Sequence, residues 1–308
     1  MSLKDADWDE LLYSIDDQSC TPFIGAGACG FRNKDNEPWL PSGSTVSKKL
    51  SEKYEYPLDD SNVLDHVSQY VAIQNGDMYP KNFIARLLKE ISPPDFSKEE
   101  YKNTPHAVLA DLKLPIYITT NYDEFMELAL KSRGRNADGE FCRWNAFLKK
   151  QSIQSVCDKA DYKPSQGRPL VYHLHGDLIN TRSMVLTETD YLDFLINLSK
   201  EDILPNQIST ALNSTSLLFV GYSLRDINFR FIFRSLMQLL GEGIGAGLQL
   251  PSIGVQLPSG FTEERKEQAI RYLDEYSKNM FKVRVYWGGI TEFSKELRDR
   301  WEKFKNAK

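Results

Sequence analysis

The sequence predicts an α/β fold: a parallel, doubly wound sheet with helices on both faces. Short apolar runs alternate with helical segments along the 308 residues, which is the pattern of strands joined by crossover helices. Four of the runs end in small or polar residues: Phe23-Ile24-Gly25-Ala26-Gly27, Thr119-Thr120-Asn121-Tyr122-Asp123, His173-Leu174-His175-Gly176 and Val220-Gly221-Tyr222-Ser223-Leu224. Because parallel strands end at one edge of a sheet, these turns are expected to meet in one crevice.

Six apolar runs are short enough to be buried strands. They are Cys20–Ile24, Pro115–Ile118, Leu170–Leu174, Ser216–Val220, Leu250–Val255 and Val283–Tyr286. Ser216–Val220 is the clearest of them. Residues 133–168 contain many charges, glycines and isolated aromatics, so we expect an irregular insert there.

Ten segments have apolar residues at helical spacing. They are Asp7–Ile15, Ser44–Lys53, Val63–Gln74, Asn82–Ile91, His106–Leu112, a helix from Asp123 onward, Asp190–Leu198, Ile203–Leu212, Asp226–Leu240 and Thr291–Phe304. Residues 1–308 are expected to form a single domain in which 44–112 are an inserted helical subdomain or cap. Gly241–Gly247 has the composition of a flexible loop.

The bulk composition is that of an ordinary globular protein, with 41% hydrophobic and 26% charged residues. A net charge of −5 argues against direct nucleic-acid binding, which needs a concentrated basic surface. No apolar run approaches the ~20 residues that cross a bilayer, and the N-terminus has no signal-peptide core. These features predict a cytoplasmic protein without membrane contact. The four cysteines form no Cys-x-x-Cys pair, which argues against a zinc ribbon. We predict no metal site in this chain.

The first turn, Gly25-Ala26-Gly27-Ala28-Cys29-Gly30, fits the pattern G-x-G-x-x-G after a strand. Glycines let a pyrophosphate approach backbone amides, but the same residues also make a tight structural turn. An ordinary dehydrogenase needs an immediate helix and an acid ending the next strand about 20 residues on. Neither is predicted here, so a dehydrogenase site is excluded, while a phosphate cradle and a structural turn both stay open.

The other three turns hold polar residues that have two interpretations each. Thr120, Asn121 and Asp123 are either helix caps or ligands of a ribose or a water. The same choice applies to Ser223 and Asp226, where Gly221 would give clearance.

Strand alternation places His173 and His175 on one face. We interpret His173 as a core histidine, whereas His175 lies beside Gly176 at the strand end, where a ligand can reach a general base.

Together the four motifs resemble the sirtuin (silent information regulator two) superfamily, and more narrowly the sirtuin-like NAD-hydrolysing domains of bacterial anti-phage defence proteins. The resemblance runs from about Phe23 to the end of the chain and implies a Rossmann-like sheet. It implies catalytic roles for Asn121 and His175. It also implies contacts to NAD from Gly25, Ala26, Gly27, Cys29, Thr120, Asp123, Gly176, Gly221 and Ser223.

Three departures from the family pattern bear on the reaction. Cys29 stands where a serine is usual, and both the Gly-Ile-Pro-Asp-Phe-Arg loop and the four-cysteine zinc module of deacylases are missing. The resemblance therefore implies an NAD glycohydrolase that yields nicotinamide and ADP-ribose, with NAD as substrate and no metal. The alternatives are an NAD-dependent protein deacylase and a non-catalytic sensor of NAD or ADP-ribose.

The resemblance also implies partners. A freely active NAD hydrolase would kill its host, so the activity is expected to be gated in an abortive-infection system. We expect a homo-oligomer, with a partner protein in trans such as an ATPase or an Argonaute-like or nuclease-like defence subunit.

Overall fold

Seven parallel strands form a single sheet in the computed structural model, which describes residues 3–33, 36–200, 203–223, 226–241, 252–256 and 262–307. The order across the sheet is β3-β4-β2-β1-β5-β6-β7, and every neighbouring pair is parallel. The strands are β1 Cys20–Ile24, β2 Ile116–Thr119, β3 Asp138–Phe141, β4 Leu170–His173, β5 Ser216–Val220, β6 Ser252–Gln256 and β7 Val283–Trp287. This confirms the predicted α/β class.

Helices cover both faces of the sheet. In the described ranges they are α1 Asp5–Asp16, α2 Gly43–Tyr54, α3 Leu64–Asn75, α4 Met78–Lys89, α5 Pro105–Asp111, α6 Phe125–Ser132, α7 Ala146–Lys149, α8 Glu188–Lys200, α9 Asn206–Ser214, α10 Ile227–Gly241, α11 Glu263–Phe281 and α12 Ile290–Asn306. Among the described residues, none of these helices has the length and apolar character needed to cross a membrane.

Two apolar cores lie on opposite faces of the sheet, because side chains alternate along each strand. Phe23 packs with Phe219 and Phe194 on one face. Its neighbour Ile24 packs with Trp8 on the other face. All five residues of β1 are buried, as expected for a central strand covered on both sides.

The strand order reverses at β1: β2, β3 and β4 lie on one side of it, and β5, β6 and β7 lie on the other. β2 pairs with one edge of β1 and β5 with the other. In parallel α/β sheets such a reversal opens a crevice beyond the carboxyl ends of the strands. The four strands that carry the polar turns, β4, β2, β1 and β5, are adjacent in the sheet, so their turns lie side by side.

The segment between β1 and β2 is largely helical. α2 and α3 share a small core of Leu50, Val67 and Val71, whereas α5 packs in one of the main cores through residues such as Val108. The assignment of 44–112 to an inserted subdomain of a single domain stays a prediction.

Two sequence interpretations need correction or completion. Residues 133–168 are not wholly irregular, because β3 lies within them and pairs with β4. β3 has the sequence Asp-Gly-Glu-Phe, and a polar edge strand of this kind has no apolar run to reveal it. α11 was not anticipated either.

The predicted loop at 241–247 falls almost entirely on residues 242–251, which lie outside the described residues, as do Leu224 and Arg225.

Candidate functional site

The predicted site residues converge at the carboxyl end of the central strands. Eight of the eleven line one cavity. They are Ala26, Cys29, Thr120, Asn121, Asp123, His175, Gly221 and Ser223. Asp226, named from the sequence as a cap or a ribose ligand, lines it too. The remaining three, Gly25, Gly27 and Gly176, lie in the adjoining turns. The structure thus brings the four motifs together, while the role of each residue stays a prediction.

Two of the turns interlock through glycines. Gly221 has a φ of +87°, and a Cβ at this position would lie 2.3 Å from the Ala28 nitrogen. The Gly27 amide donates to the Gly221 carbonyl at 2.9 Å, and the Gly25 amide donates to the Val220 carbonyl at 2.9 Å. Because both amides already have protein acceptors, these two glycines join the turns to each other, and Ala26 and Cys29 are the loop residues that line the cavity.

Asn121 is 8% exposed and is held on several sides. Its Nδ2 donates to the Gly25 carbonyl at 3.2 Å and to Cys29 Sγ at 3.4 Å. Its main-chain amide donates to Thr119 Oγ1 at 3.0 Å. Since both hydrogens of the side-chain amide point into the protein, Oδ1 is the atom that Asn121 can offer to a hydroxyl group or a water.

Cys29 connects the glycine loop to the turn after β2. Its thiol donates to Asp123 Oδ2 at 3.4 Å, and Asp123 Oδ1 accepts from the Phe125 amide at 3.0 Å at the start of α6. Burial raises the pKa of both Cys29 and Asp123. The cysteine therefore acts here as a neutral hydrogen-bonding group, which a serine hydroxyl would also provide.

His175 follows β4 and is 4% exposed. Its ring makes T-shaped contacts with the rings of Tyr191 and Phe194, whose centroids lie 5.5 and 5.2 Å away. Burial lowers the pKa of His175 to about 3, so the imidazole is neutral at pH 7 and one of its ring nitrogens carries a lone pair. Nε2 is buried and has no hydrogen-bond partner among the described residues.

The turn at Gly176 brings a second segment against His175. Gly176 has a φ of +82°, and a Cβ there would lie 2.3 Å from the Ser183 carbonyl carbon. This close approach allows the Val185 amide to donate to the His175 carbonyl at 2.9 Å. Any larger residue at 176 would push these segments apart, so Gly176 supports the site from outside the cavity.

His173 is a core histidine with both ring nitrogens bonded, as the sequence interpretation held. Nδ1 lies 3.0 Å from the Asn121 carbonyl and Nε2 lies 2.7 Å from Glu127 Oε1. Burial opposes protonation of this ring, but the Glu127 carboxylate, the Asn121 carbonyl and Asp177 together outweigh it and raise the pKa of His173 to about 9. The two histidines of one motif are thus in opposite charge states at neutral pH.

Sequence reasoning missed the tyrosines of the cavity. Tyr222 donates to the Ile24 carbonyl at 2.9 Å and lies 2.8 Å from Thr120 Oγ1. Tyr191 and Tyr122 also line the cavity. Tyr122 and Tyr222 stand inside the recognised motifs, so their positions were the available signal, but an aromatic residue between polar ones is as often structural.

The opposite wall of the cavity is apolar and comes from the helical segment after β1. It contains Leu40, Val46, Leu64, Ile84 and Leu88. These residues lie on three helices and a loop between β1 and β2, and no local pattern links them to the motifs. The cavity therefore has a polar floor at the sheet and an apolar cover.

One group of side chains in the described ranges has metal-binding atoms close together. The ligand atoms of Cys29, His106 and Asp123 all lie within 4.8 Å of one another. The thiol and carboxyl of this group are already hydrogen-bonded to each other. Burial lowers the pKa of His106 to about 3. The imidazole of His106 packs against the rings of three phenylalanines, Phe31, Phe96 and Phe125. That the site works without a metal stays a prediction.

Comparison with known proteins places the chain near sirtuin-like proteins. A family model described as a SIR2-like domain matches residues 115–276, more than half of the chain. Two curated relatives are both named NAD(+) hydrolase ThsA. The protein from Cytobacillus dafuensis is 28% identical over 236 residues, covering 76% of this chain and 41% of the relative. The one from Bacillus cereus (strain MSX-D12) is 30% identical over 191 residues, covering 62% and 35%.

The chain spans less than half the length of these relatives. A solved structure described as "Structural Basis for the Mechanism and Regulation of Sir2 Enzymes" aligns with 97% of this chain and 99% of its own. The identity is 13% and the TM-score 0.35, so this likeness carries no weight here.

Proposed function

We propose that this chain, which belongs to the SIR2-like domain family, hydrolyses NAD to nicotinamide and ADP-ribose in the cavity beyond β4, β2, β1 and β5. One observation carries the proposal. Asn121 and His175, on turns 54 residues apart, line the same cavity as the interlocked glycine turns. The names of the curated relatives point to the same reaction.

The reaction breaks the bond between the nicotinamide nitrogen and C1′ of the ribose. Nicotinamide leaves with the electron pair, and the sugar passes through an oxocarbenium-like state that a water attacks at C1′. Asn121 Oδ1 orients the ribose or the water. His175 accepts the proton that the water, or a ribose hydroxyl, loses, because its ring borders the cavity and its Nε2 has no hydrogen-bond partner among the described residues.

Contacts away from the reacting bond fix the position of the substrate. Ala26, Gly221 and Ser223 line the part of the cavity formed by the two interlocked turns, where we place the pyrophosphate and the adenosine ribose. Binding energy from these groups orients the nicotinamide ribose against Asn121. The apolar cover limits the access of bulk water to the reacting carbon.

The proposal extends to regulation. An unregulated NAD hydrolase would exhaust the NAD of its own cell, so we infer that the activity is gated by assembly or by a partner, as in abortive infection by phage. In support, the curated relatives are more than twice as long as the stretch they share with this chain. A homo-oligomer and a defence subunit in trans are the partners proposed.

The test incubates purified protein with NAD and measures nicotinamide and ADP-ribose by chromatography. Asn121→Ala and His175→Ala should each lower turnover by about 100-fold or more. His66→Ala is the matched control, because His66 is half-exposed on α3 and bonded to Asp60. Unchanged turnover in either site variant would contradict the assignment.

Two further outcomes separate the alternatives. Release of nicotinamide only when an acylated peptide is added would indicate a deacylase. Binding of NAD without turnover, by the isolated chain and by its assembled form, would indicate a sensor module. Thermal melting of each variant shows whether it remains folded.

A further inference from the structure

The described structure contains a buried ion pair directly beneath Asn121. His173, at the end of β4, is 3% exposed and lies between the Asn121 carbonyl at 3.0 Å and Glu127 Oε1 at 2.7 Å. Neither side chain of the pair lines the cavity that contains His175. Both instead border a second cavity on the other side of the turn after β2.

We propose that the Glu127–His173 pair positions Asn121 for NAD hydrolysis by holding its main-chain carbonyl from below. The inference rests on the proposed function, since Asn121 matters here through its part in that reaction. His173 and Glu127 are positioning residues that act through Asn121 rather than on the substrate.

Hydrogen-bond chemistry determines the form of His173 that can do this. A main-chain carbonyl only accepts, and a carboxylate only accepts. Both ring nitrogens of His173 face such acceptors, so only the doubly protonated imidazolium satisfies both. A neutral ring would keep its hydrogen toward the carboxylate and turn a lone pair toward the Asn121 carbonyl.

The charges around His173 favour the imidazolium. Glu127 of α6 and Asp177 after β4 both raise its pKa, against the effect of burial. Asp123, in the turn after β2, is close enough for His173 to oppose the effect of burial, which raises the pKa of Asp123. Lys89 of α4 and Glu124, which precedes α6, line the same second cavity.

The carbonyl contact completes the restraint of Asn121. Its side chain is tied to the Gly25 carbonyl and its amide to Thr119 Oγ1, which leaves the peptide between residues 121 and 122 to be held by His173. A charge-assisted hydrogen bond is stronger than a neutral one. Loss of this bond lets the peptide rotate and displaces Oδ1, and small displacements of an orienting group reduce rates strongly.

A matched pair of substitutions isolates this contact. In His173→Asn the amide nitrogen falls near the position of Nδ1 and still donates to the Asn121 carbonyl. In His173→Gln it falls near Nε2 and donates only to Glu127. We expect kcat for NAD to fall ~10-fold or more in His173→Gln, with little change in KM, and distinctly less in His173→Asn. Equal kcat in the two variants would overturn the proposal.

The pH dependence gives a second readout that a purely structural ion pair would not move. Wild-type kcat should fall as pH rises through about 9, where His173 loses its proton. In Glu127→Gln the carboxylate that favours the imidazolium is gone, and burial, the largest effect on the pKa of His173, is opposed only by the Asn121 carbonyl and Asp177. We therefore expect a neutral ring at pH 7 and above, in which the glutamine amide donates to Nε2 while Nδ1–H keeps the carbonyl. That variant should lack the fall near pH 9. A wild-type kcat that stays flat through this range would overturn the proposal.

NMR separates failure of this inference from failure of the proposed function. The chain has four histidines, so the His173 ring signals are identified by single substitution. The Tyr122 amide belongs to the peptide whose carbonyl His173 holds, and its shift should follow the His173 titration in wild type but not in Glu127→Gln. If neither the isolated wild-type chain nor its assembled form turns over NAD, the proposed function fails, and this shift alone decides: its absence overturns the positioning role, and its presence supports it.

Discussion

Gly221→Ala tests the interlock of the two glycine turns. The φ of +87° is unfavourable for alanine, at about 1–2 kcal/mol. The added Cβ would also lie 2.3 Å from the Ala28 nitrogen and 2.5 Å from the Gly25 carbonyl oxygen, where ordinary contacts exceed 3 Å. Backbone atoms cannot swing aside as a side chain can, so overpacking adds about 1–3 kcal/mol. Separating the turns also weakens the hydrogen bond from Gly27, worth about 1 kcal/mol.

The expected loss in the free energy of unfolding is therefore about 3–6 kcal/mol, measured by urea denaturation at pH 7. Gly134→Ala is the matched control, because Gly134 has a φ of +70° but no heavy atom within 4 Å of an added Cβ. It should lose only the conformational part, about 1–2 kcal/mol. Equal losses in the two variants would refute the reasoning, since the close contacts would then cost nothing.

Three further substitutions, at His106 and Cys29, test the buried groups beside the site. His106 has a folded pKa of about 3, against about 6.5 unfolded, so protons bind preferentially to the unfolded state between these values, and the stability contribution is lost as pH falls from 6.5 toward 3. Between pH 7 and pH 4, His106→Phe should therefore lose less free energy of unfolding than wild type does, by up to about 3 kcal/mol. Urea denaturation of both proteins at the two pH values measures these losses. Equal losses in wild type and variant would contradict the account. Cys29→Ser keeps a donor to Asp123, so NAD turnover should stay within about threefold of wild type, whereas Cys29→Val, which keeps the volume but removes the donor, should lower it by about tenfold or more. Similar turnover in the two Cys29 variants would show that the hydrogen bond is unimportant.

Most of the sheet follows from local sequence because its central strands are buried on both faces. Such strands appear as continuous apolar runs, and the observed bounds of β1 and β5 are those predicted. β3 escaped because it is a polar edge strand that depends on pairing with β4. α11 has mostly charged and polar residues, so its apolar stripe is narrow and gives a weak periodic signal.

The turns at the candidate site were predictable for a similar reason. Glycine, asparagine and histidine directly after apolar runs mark the carboxyl ends of strands, and parallel strands bring those ends together. His173 was assigned to the core because it lies within the predicted strand, whereas His175 lies at the strand end beside Gly176. Glu127, the partner of His173, lies on α6, and no sequence pattern links the two.

What the sequence by itself determined about this protein is the α/β class, the four motif turns and their convergence, because these depend on neighbours along the chain. Only the tertiary structure decided the order of strands, with β4, β2, β1 and β5 adjacent. It alone also revealed the apolar cover, the interlocked glycines and the opposite charge states of His173 and His175. Burial and the approach of a distant carboxylate set those charge states, and both are properties of the packed chain rather than of its local order.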